Sequence, residues 1–180
     1  MAGWMLIGVP PAMTAQVRMR DVVRTMPDSL FPYLTANNRL DCIDFKDAGM
    51  KAEVRNSLDG NTVMQTLTDD FASLRLNEAL TAEMRLLDHQ GRQTLCLVTT
   101  FGTDLRESVI SFYTPDWQPL DAADFITLPD GMFVVEWGGQ EPELILTPVM
   151  ELERPAMEDQ QEIIKPSINL KWTGGSFKQS

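Results

Sequence analysis

The sequence predicts an α+β fold in which an N-terminal helical pair packs on an antiparallel β-sheet. Three observations carry that expectation. Apolar residues recur at spacings of three and four up to Gly49. From residue 51 onward they alternate with polar ones, a period of two. Turn residues then separate the alternating runs at short, regular intervals, as in a meander. A sheet of roughly six to eight strands, with one face covered by the helices, suits a chain of this size. A half-closed β-barrel with N-terminal helices is the alternative.

Met19, Val22, Val23 and Met26 place one apolar stripe on a helix over residues 17–26. Pro27 ends it, because proline disfavours helix in the residue before it. Asp28-Ser29 restart a short turn that holds Leu30, Phe31, Tyr33 and Leu34. Thr35 or Asn37 can cap a second helix over 37–48, with Leu40, Ile43 and Phe45 inward and Gly49 at its left-handed end.

Strands follow at 51–57 and 63–67, joined by the tight-turn pair Asp59-Gly60. Further strands fall around Leu74 and Leu76 and around Ala82, Met84 and Leu86, with Asp88-His89-Gln90-Gly91 as the next turn. Residues 93–101 make the most apolar strand and the central one, followed by 107–113. Asp121-Ala-Ala-Asp124 reads as a capped short helix. Strands near 132–137 and 143–149 come next, then a solvated acidic stretch over 151–162. A last strand carries Ile168, Leu170 and Trp172, and a frayed polar end follows Gly174-Gly175.

Residues 1–15 read as the remnant of a signal peptide, and 16–180 as a single α+β domain. Trp4 to Val9 is a short apolar run, and cleavage fits best after Ala15. No basic residue precedes that run, and Met13 stands where a small residue is preferred. No segment is long enough to span a bilayer, so an integral membrane span is not expected.

Lys and Arg number 15 against 26 Asp and Glu, a formal charge of −11. That sign repels phosphate, so nucleic acid is not expected as a partner. Cys42 and Cys96 fit no zinc spacing and read as two separate buried thiols, although an oxidising compartment would permit one disulfide. His89 is the single histidine and falls in a turn. No Ser or Cys has a nucleophile motif around it. Asp41, Asp44 and Asp47 share one helix side and read as a solvated acidic face, because no calcium-loop pattern surrounds them. No glycine-rich phosphate loop is present. The residues therefore indicate no cofactor, no metal site and no catalytic set.

One block resembles a known family. Met26-Pro-Asp-Ser-Leu-Phe-Pro-Tyr-Leu34 is followed at close spacing by Asn37-Asn-Arg-Leu-Asp-Cys-Ile-Asp-Phe45 and by Met50-Lys-Ala-Glu-Val54. Together with Leu67-Thr-Asp-Asp70, Ser111-Phe-Tyr-Thr-Pro-Asp-Trp117 and Asp124-Phe125, this is similar to an exported Bacteroidales family, the domain-of-unknown-function family numbered 3256. The resemblance implies export, to the periplasm or cell envelope. It implies no activity, ligand or site residue.

Two functions follow as expectations. The first is a non-enzymatic exported domain that binds a protein or glycan partner through a patch including Tyr33, Trp117 or Trp137. The second is an envelope hydrolase using a carboxylate pair drawn from acids such as Asp69, Asp70 or Asp116, set about 5 to 9.5 Å apart in a cleft.

Overall fold

The helical period of residues 17–26 folds as α1 (Met19–Thr25), and that of 37–48 as α2 (Ala36–Asp47). The structure is a computed structural model and describes residues 16–139, 141–149 and 166–180. The apolar run at 4–9, with its expected cleavage site, and the acidic stretch 151–162 lie outside the described residues. In α1 the predicted stripe is the buried one: Met19, Val22 and Val23 are closed to solvent and Met26 follows them.

Thr35 is the cap of α2. Its hydroxyl accepts the Asn38 backbone N–H, and the Asn38 side chain accepts the Thr35 N–H, both at 3.2 Å. These two bonds satisfy donors that a helix start leaves free. Gly49 closes the helix at φ +69. The inward face differs from the expectation. Leu40 is 39% exposed, whereas Arg39, Cys42 and Ile43 are buried. Arg39 takes that stripe because its Nη1 donates to the Asp28 carboxylate and to the Leu34 carbonyl, each at 2.7 Å. The Pro-Asp-Ser turn thus holds the second helix.

The alternating segments form a seven-stranded antiparallel meander, ordered along the sheet as along the chain: β1 (Ala52–Arg55), β2 (Asn61–Leu67), β3 (Phe71–Asn77), β4 (Leu80–His89), β5 (Arg92–Phe101), β6 (Glu107–Tyr113) and β7 (Pro119–Leu120). The sheet does not close, and β1 and β7 are its edges. β4 and β5 are its longest members and pair from Leu80↔Phe101 to His89↔Arg92. Gln90-Gly91 alone make their turn, at φ +52 and +78, as a two-residue hairpin loop requires. His89 therefore belongs to β4 and not to the turn.

The remaining strands do not join this sheet. β8 (Phe133–Gly138), β9 (Glu143–Pro148), β10 (Ile168–Trp172) and β11 (Phe177–Gln179) form a second antiparallel sheet, ordered β11-β10-β9-β8. The reason lies in β5. Leu95-Cys96-Leu97-Val98 are apolar at successive positions, so both faces of the strand must be covered. Leu95 and Leu97 face a core shared with α1 and α2. Cys96 and Val98 face a second core with Phe133, Val135, Leu144 and Leu146 of the second sheet. The C-terminal end is not frayed: Phe177 is buried among Phe112, Trp137 and Trp172, and that burial pins β11. Full burial of one such side chain contributes about 1.5–3 kcal/mol. Asp121 caps a single 3-10 turn at Ala122–Asp124, as expected. Among the described residues, no helix is long and apolar enough to cross a membrane.

Candidate functional site: a polar pocket between the two sheets

The side of the large sheet that faces away from the helices is only partly covered. β8 is held to β6 where the Val135 N–H donates to the Ser108 hydroxyl at 2.9 Å. At its other end Trp137 packs edge-on against Phe71 of β3, with ring centroids 6.4 Å apart. β8 therefore crosses the large sheet obliquely, from β6 toward β3. Beside this crossing opens a pocket of about 310 Å³. Val135, Glu136 and Trp137 form one wall.

The other walls come from strand positions that pair across the sheet. Ser73 lies opposite Glu83, and Thr81 opposite Thr100. All four line the pocket, with Gln65 and Arg106 beside them. The lining therefore presents hydroxyls, an amide, two carboxylates and a guanidinium, with one indole. A pocket so polar suits a ligand carrying hydroxyl or amide groups and disfavours an apolar one.

Glu83 is the perturbed group. Burial raises its carboxyl above the usual range, and the negative charge of Glu136 adds to the rise. A hydrogen bond from Ser73 and the positive charges of Arg106 and Arg85 oppose it. Arg85, next but one along β4, is 8% exposed, and its guanidinium stands over two rings. Its central carbon is 5.0 Å from the Phe71 centroid and 5.1 Å from that of Trp137. The Trp137 indole nitrogen is itself buried without a hydrogen-bond partner.

The residues singled out from sequence scatter around this site. Of the aromatic trio, Trp137 lines the pocket and Tyr33 is half-buried in a shallow groove on the helix side with Leu80, Phe101 and Val109. Trp117 is no surface contact, because it is 6% exposed and sits in the helix-side core. Phe101 and Val109 are about half exposed, so the helix side also carries an apolar patch.

The acids offered as a hydrolytic pair serve turns. The Asp70 carboxylate accepts the Thr68 hydroxyl at 2.9 Å, and the Asp116 carboxylate accepts the Thr114 hydroxyl at 2.5 Å. The Asp69 carbonyl receives the Met19 N–H. None of the three reaches the pocket, whose carboxylates are Glu83 and Glu136. Asp41 and Asp44 are exposed, and Asp47 pairs with Arg20. Among the described residues, no group of three or more His, Cys, Asp or Glu is placed to hold a metal ion. His89 is no bland turn residue. It packs edge-on against Phe125, with centroids 5.5 Å apart, and lies against Trp172. Cys42 and Cys96 are both free, and they lie in the two cores on opposite faces of the large sheet.

Sequence reading missed Ser73, Glu83, Arg85 and Arg106. One signal pointed to the first three. A central strand apolar on both faces requires its neighbours to be covered on both faces too. The polar face of β4, which alternates with Ala82, Met84 and Leu86, therefore had to lie under something.

Comparison with known proteins bears on fold and family. No curated protein matches the chain. A solved structure, described as the structure of a domain of an uncharacterized protein from Porphyromonas gingivalis W83, is similar in fold. Its TM-score is 0.75 at 20% identity, over 91% of this chain and 98% of that one. The family described as Protein of unknown function (DUF3256) matches residues 12–137, which run from before α1 into β8 and hold all of the pocket lining. The chain belongs to that family.

Proposed function

We propose that this is an exported, non-enzymatic domain of the cell envelope that holds a glycan in the pocket between its sheets. The observation that carries the reading is the lining itself. Ser73, Thr81 and Thr100 hydroxyls and the Gln65 amide stand beside the half-buried Trp137 indole. Hydroxyl groups of a sugar need donors and acceptors in alternation, and a sugar face packs on an aromatic ring. The volume is at the low end of the roughly 300–1,000 Å³ usual for small-ligand pockets, which suits one or two sugar residues. Export is supported by the apolar run at 4–9 followed by Ala15 at the expected cleavage position.

Binding of the full chain to immobilised oligosaccharides tests the reading. Retention of at least one class is expected, with about tenfold weaker binding by Trp137→Ala, a loss of about 1.4 kcal/mol. No retention of any oligosaccharide, or retention that Trp137→Ala leaves unchanged, would overturn it. Retention of peptides alone would turn the assignment to a protein partner.

A second reading has one observation behind it. Glu83 is held toward its protonated form while Glu136 stands in the same pocket, and an acid–base pair in glycoside hydrolysis divides its roles in that way. It predicts slow release of reducing ends from a bound oligosaccharide, abolished by Glu83→Gln. A bound oligosaccharide that stays intact over days excludes it.

A further inference from the structure

Among the described residues two arginines are buried, and their surroundings differ. Arg39 has two acceptors on its Nη1, the Asp28 carboxylate and the Leu34 carbonyl, although its Nε is buried and unpartnered. Arg85 has none: among the described residues no group accepts a hydrogen bond from it. Its Nε and Nη1 are closed to solvent and unpartnered. Desolvating a guanidinium in this way is costly unless acceptors replace the lost water. The two rings at 5.0 and 5.1 Å return part of that cost and accept no conventional hydrogen bond. Glu83, on the same face of β4, engages Ser73 instead.

Trp137 adds to the shortage of acceptors. Its indole N–H is buried and unpartnered, and the ring it belongs to is the one stacked on Arg85. Three buried donors, Arg85 Nε, Arg85 Nη1 and Trp137 Nε1, thus belong to one stacked pair, of which Trp137 lines the pocket and Arg85 does not. A second guanidinium, that of Arg106, lines the same pocket.

We propose that Arg85 recognises a carboxylate on the ligand, so that the glycan is an acidic one bearing a uronate. The inference rests on the glycan reading above and names its class. A carboxylate presents two coplanar oxygens to the guanidinium fork, which is the pairing that planar, bidentate geometry favours. A single negative charge also suits the site better than a phosphate dianion, because Glu83 and Glu136 stand nearby. The two arginine nitrogens lie beneath the rings, so the carboxylate reaches them when the Trp137 indole shifts. No hydrogen bond holds that indole in place. The indole is the cover, and its displacement accompanies binding.

Calorimetric titration of the full chain with a galacturonic acid trisaccharide, and with the neutral galactose trisaccharide of the same linkage, tests this. The uronate is expected to bind at least about tenfold more tightly, since hydrogen bonds between charged groups are the strong ones. Arg85→Met should bring the two affinities together, by weakening the uronate more than the neutral trisaccharide. Its melting temperature should not fall, because an unpartnered buried charge has been removed. Arg85→Lys keeps the charge without the fork and should retain only part of the preference. The indole fluorescence change seen with the uronate should vanish in Trp137→Phe.

Equal affinity of the wild type for both sugars would overturn the inference and leave the glycan reading standing. Binding of neither would overturn the uronate assignment, and the glycan reading falls with it only where no immobilised oligosaccharide is retained. A preference that survives in Arg85→Met would place recognition elsewhere and end the assignment to Arg85. Tighter binding of galactose 6-phosphate than of galacturonic acid would overturn the carboxylate.

Discussion

The indole N–H of Trp117 donates to the carbonyl of Val22 at 2.9 Å, joining the turn after β6 to α1 across 95 positions of chain. Trp117 holds a left-handed backbone at φ +68 to make this contact, and its ring packs against Tyr113. Trp117→Phe keeps most of the apolar area and removes the bond, leaving the Val22 carbonyl with only the longer bond from the Thr25 hydroxyl at 3.3 Å. Urea unfolding should show a loss of about 1 kcal/mol or more. A change within about 0.5 kcal/mol, the scatter of a neutral surface substitution, would mean the bond does not hold α1 down.

Arg39 and Asp28 make a second tie. The arginine side chain is 4% exposed and its partner 68% exposed. The two substitutions are therefore not equivalent. Asp28→Ala strands a buried charge with only the Leu34 carbonyl and should cost about 1–3 kcal/mol. Arg39→Met removes the charge and leaves Asp28 to water, so it should cost less than Asp28→Ala. The reverse order would show that Asp28 is not what makes the buried guanidinium tolerable.

Glu83 should impose a pH dependence of definite sign. Its carboxyl is raised from 4.5 by burial first, then by Glu136, against a lowering hydrogen bond from Ser73. The folded state therefore holds this proton more tightly than the unfolded chain does. The stability tied to that proton is fully present below pH 4.5 and is lost as the pH rises through the folded value. Glu83→Gln should flatten this part of the curve of melting temperature against pH, and should melt higher than wild type at neutral pH. Parallel curves for the two proteins would show that Glu83 is not buried in solution.

The two thiols should be silent while the protein is folded. Burial pushes Cys42 up to about 11, with the Asp41 charge adding and a hydrogen bond from the Met64 backbone opposing. Burial alone pushes Cys96 further up. Protonated, enclosed thiols react slowly, and the large sheet stands between these two. A thiol reagent should count none in the native protein and two after denaturation, from oxidised preparations as well. One cross-link between them would contradict the separation of the two cores.

Gly102 closes the turn from β5 toward β6 beside Arg106 of the pocket. Its φ is +97, and a Cβ there would stand 1.9 Å from the Leu105 carbonyl oxygen. Its N–H also donates to the Ala79 carbonyl at 2.9 Å. Gly102→Ala should destabilise by about 2 kcal/mol or more, from positive φ and collision together. It should also weaken ligand binding by moving Arg106. A neutral Gly102→Ala would show that the turn relaxes freely.

The sequence by itself determined what is local. Period, caps and turn residues located both helices and most strands, because Met19, Val22 and Val23 must share a helix face and Gln90-Gly91 can turn a chain in two residues. The buried, separate thiols and the family resemblance were legible for the same reason, since apolar neighbours and contiguous motifs lie along the chain. Only the tertiary structure decided which strands share a sheet. Strand periodicity records that one face is covered, never by what, and so β8 to β10 read as further members of one sheet and β11 as a frayed end. It also decided the fate of polar residues on strands. Glu83 and Arg85 alternate with Ala82, Met84 and Leu86 as any solvent-facing pair would. β8 then crosses above them, takes their water, and makes a pocket from residues 65 to 137 that no spacing in the sequence connects.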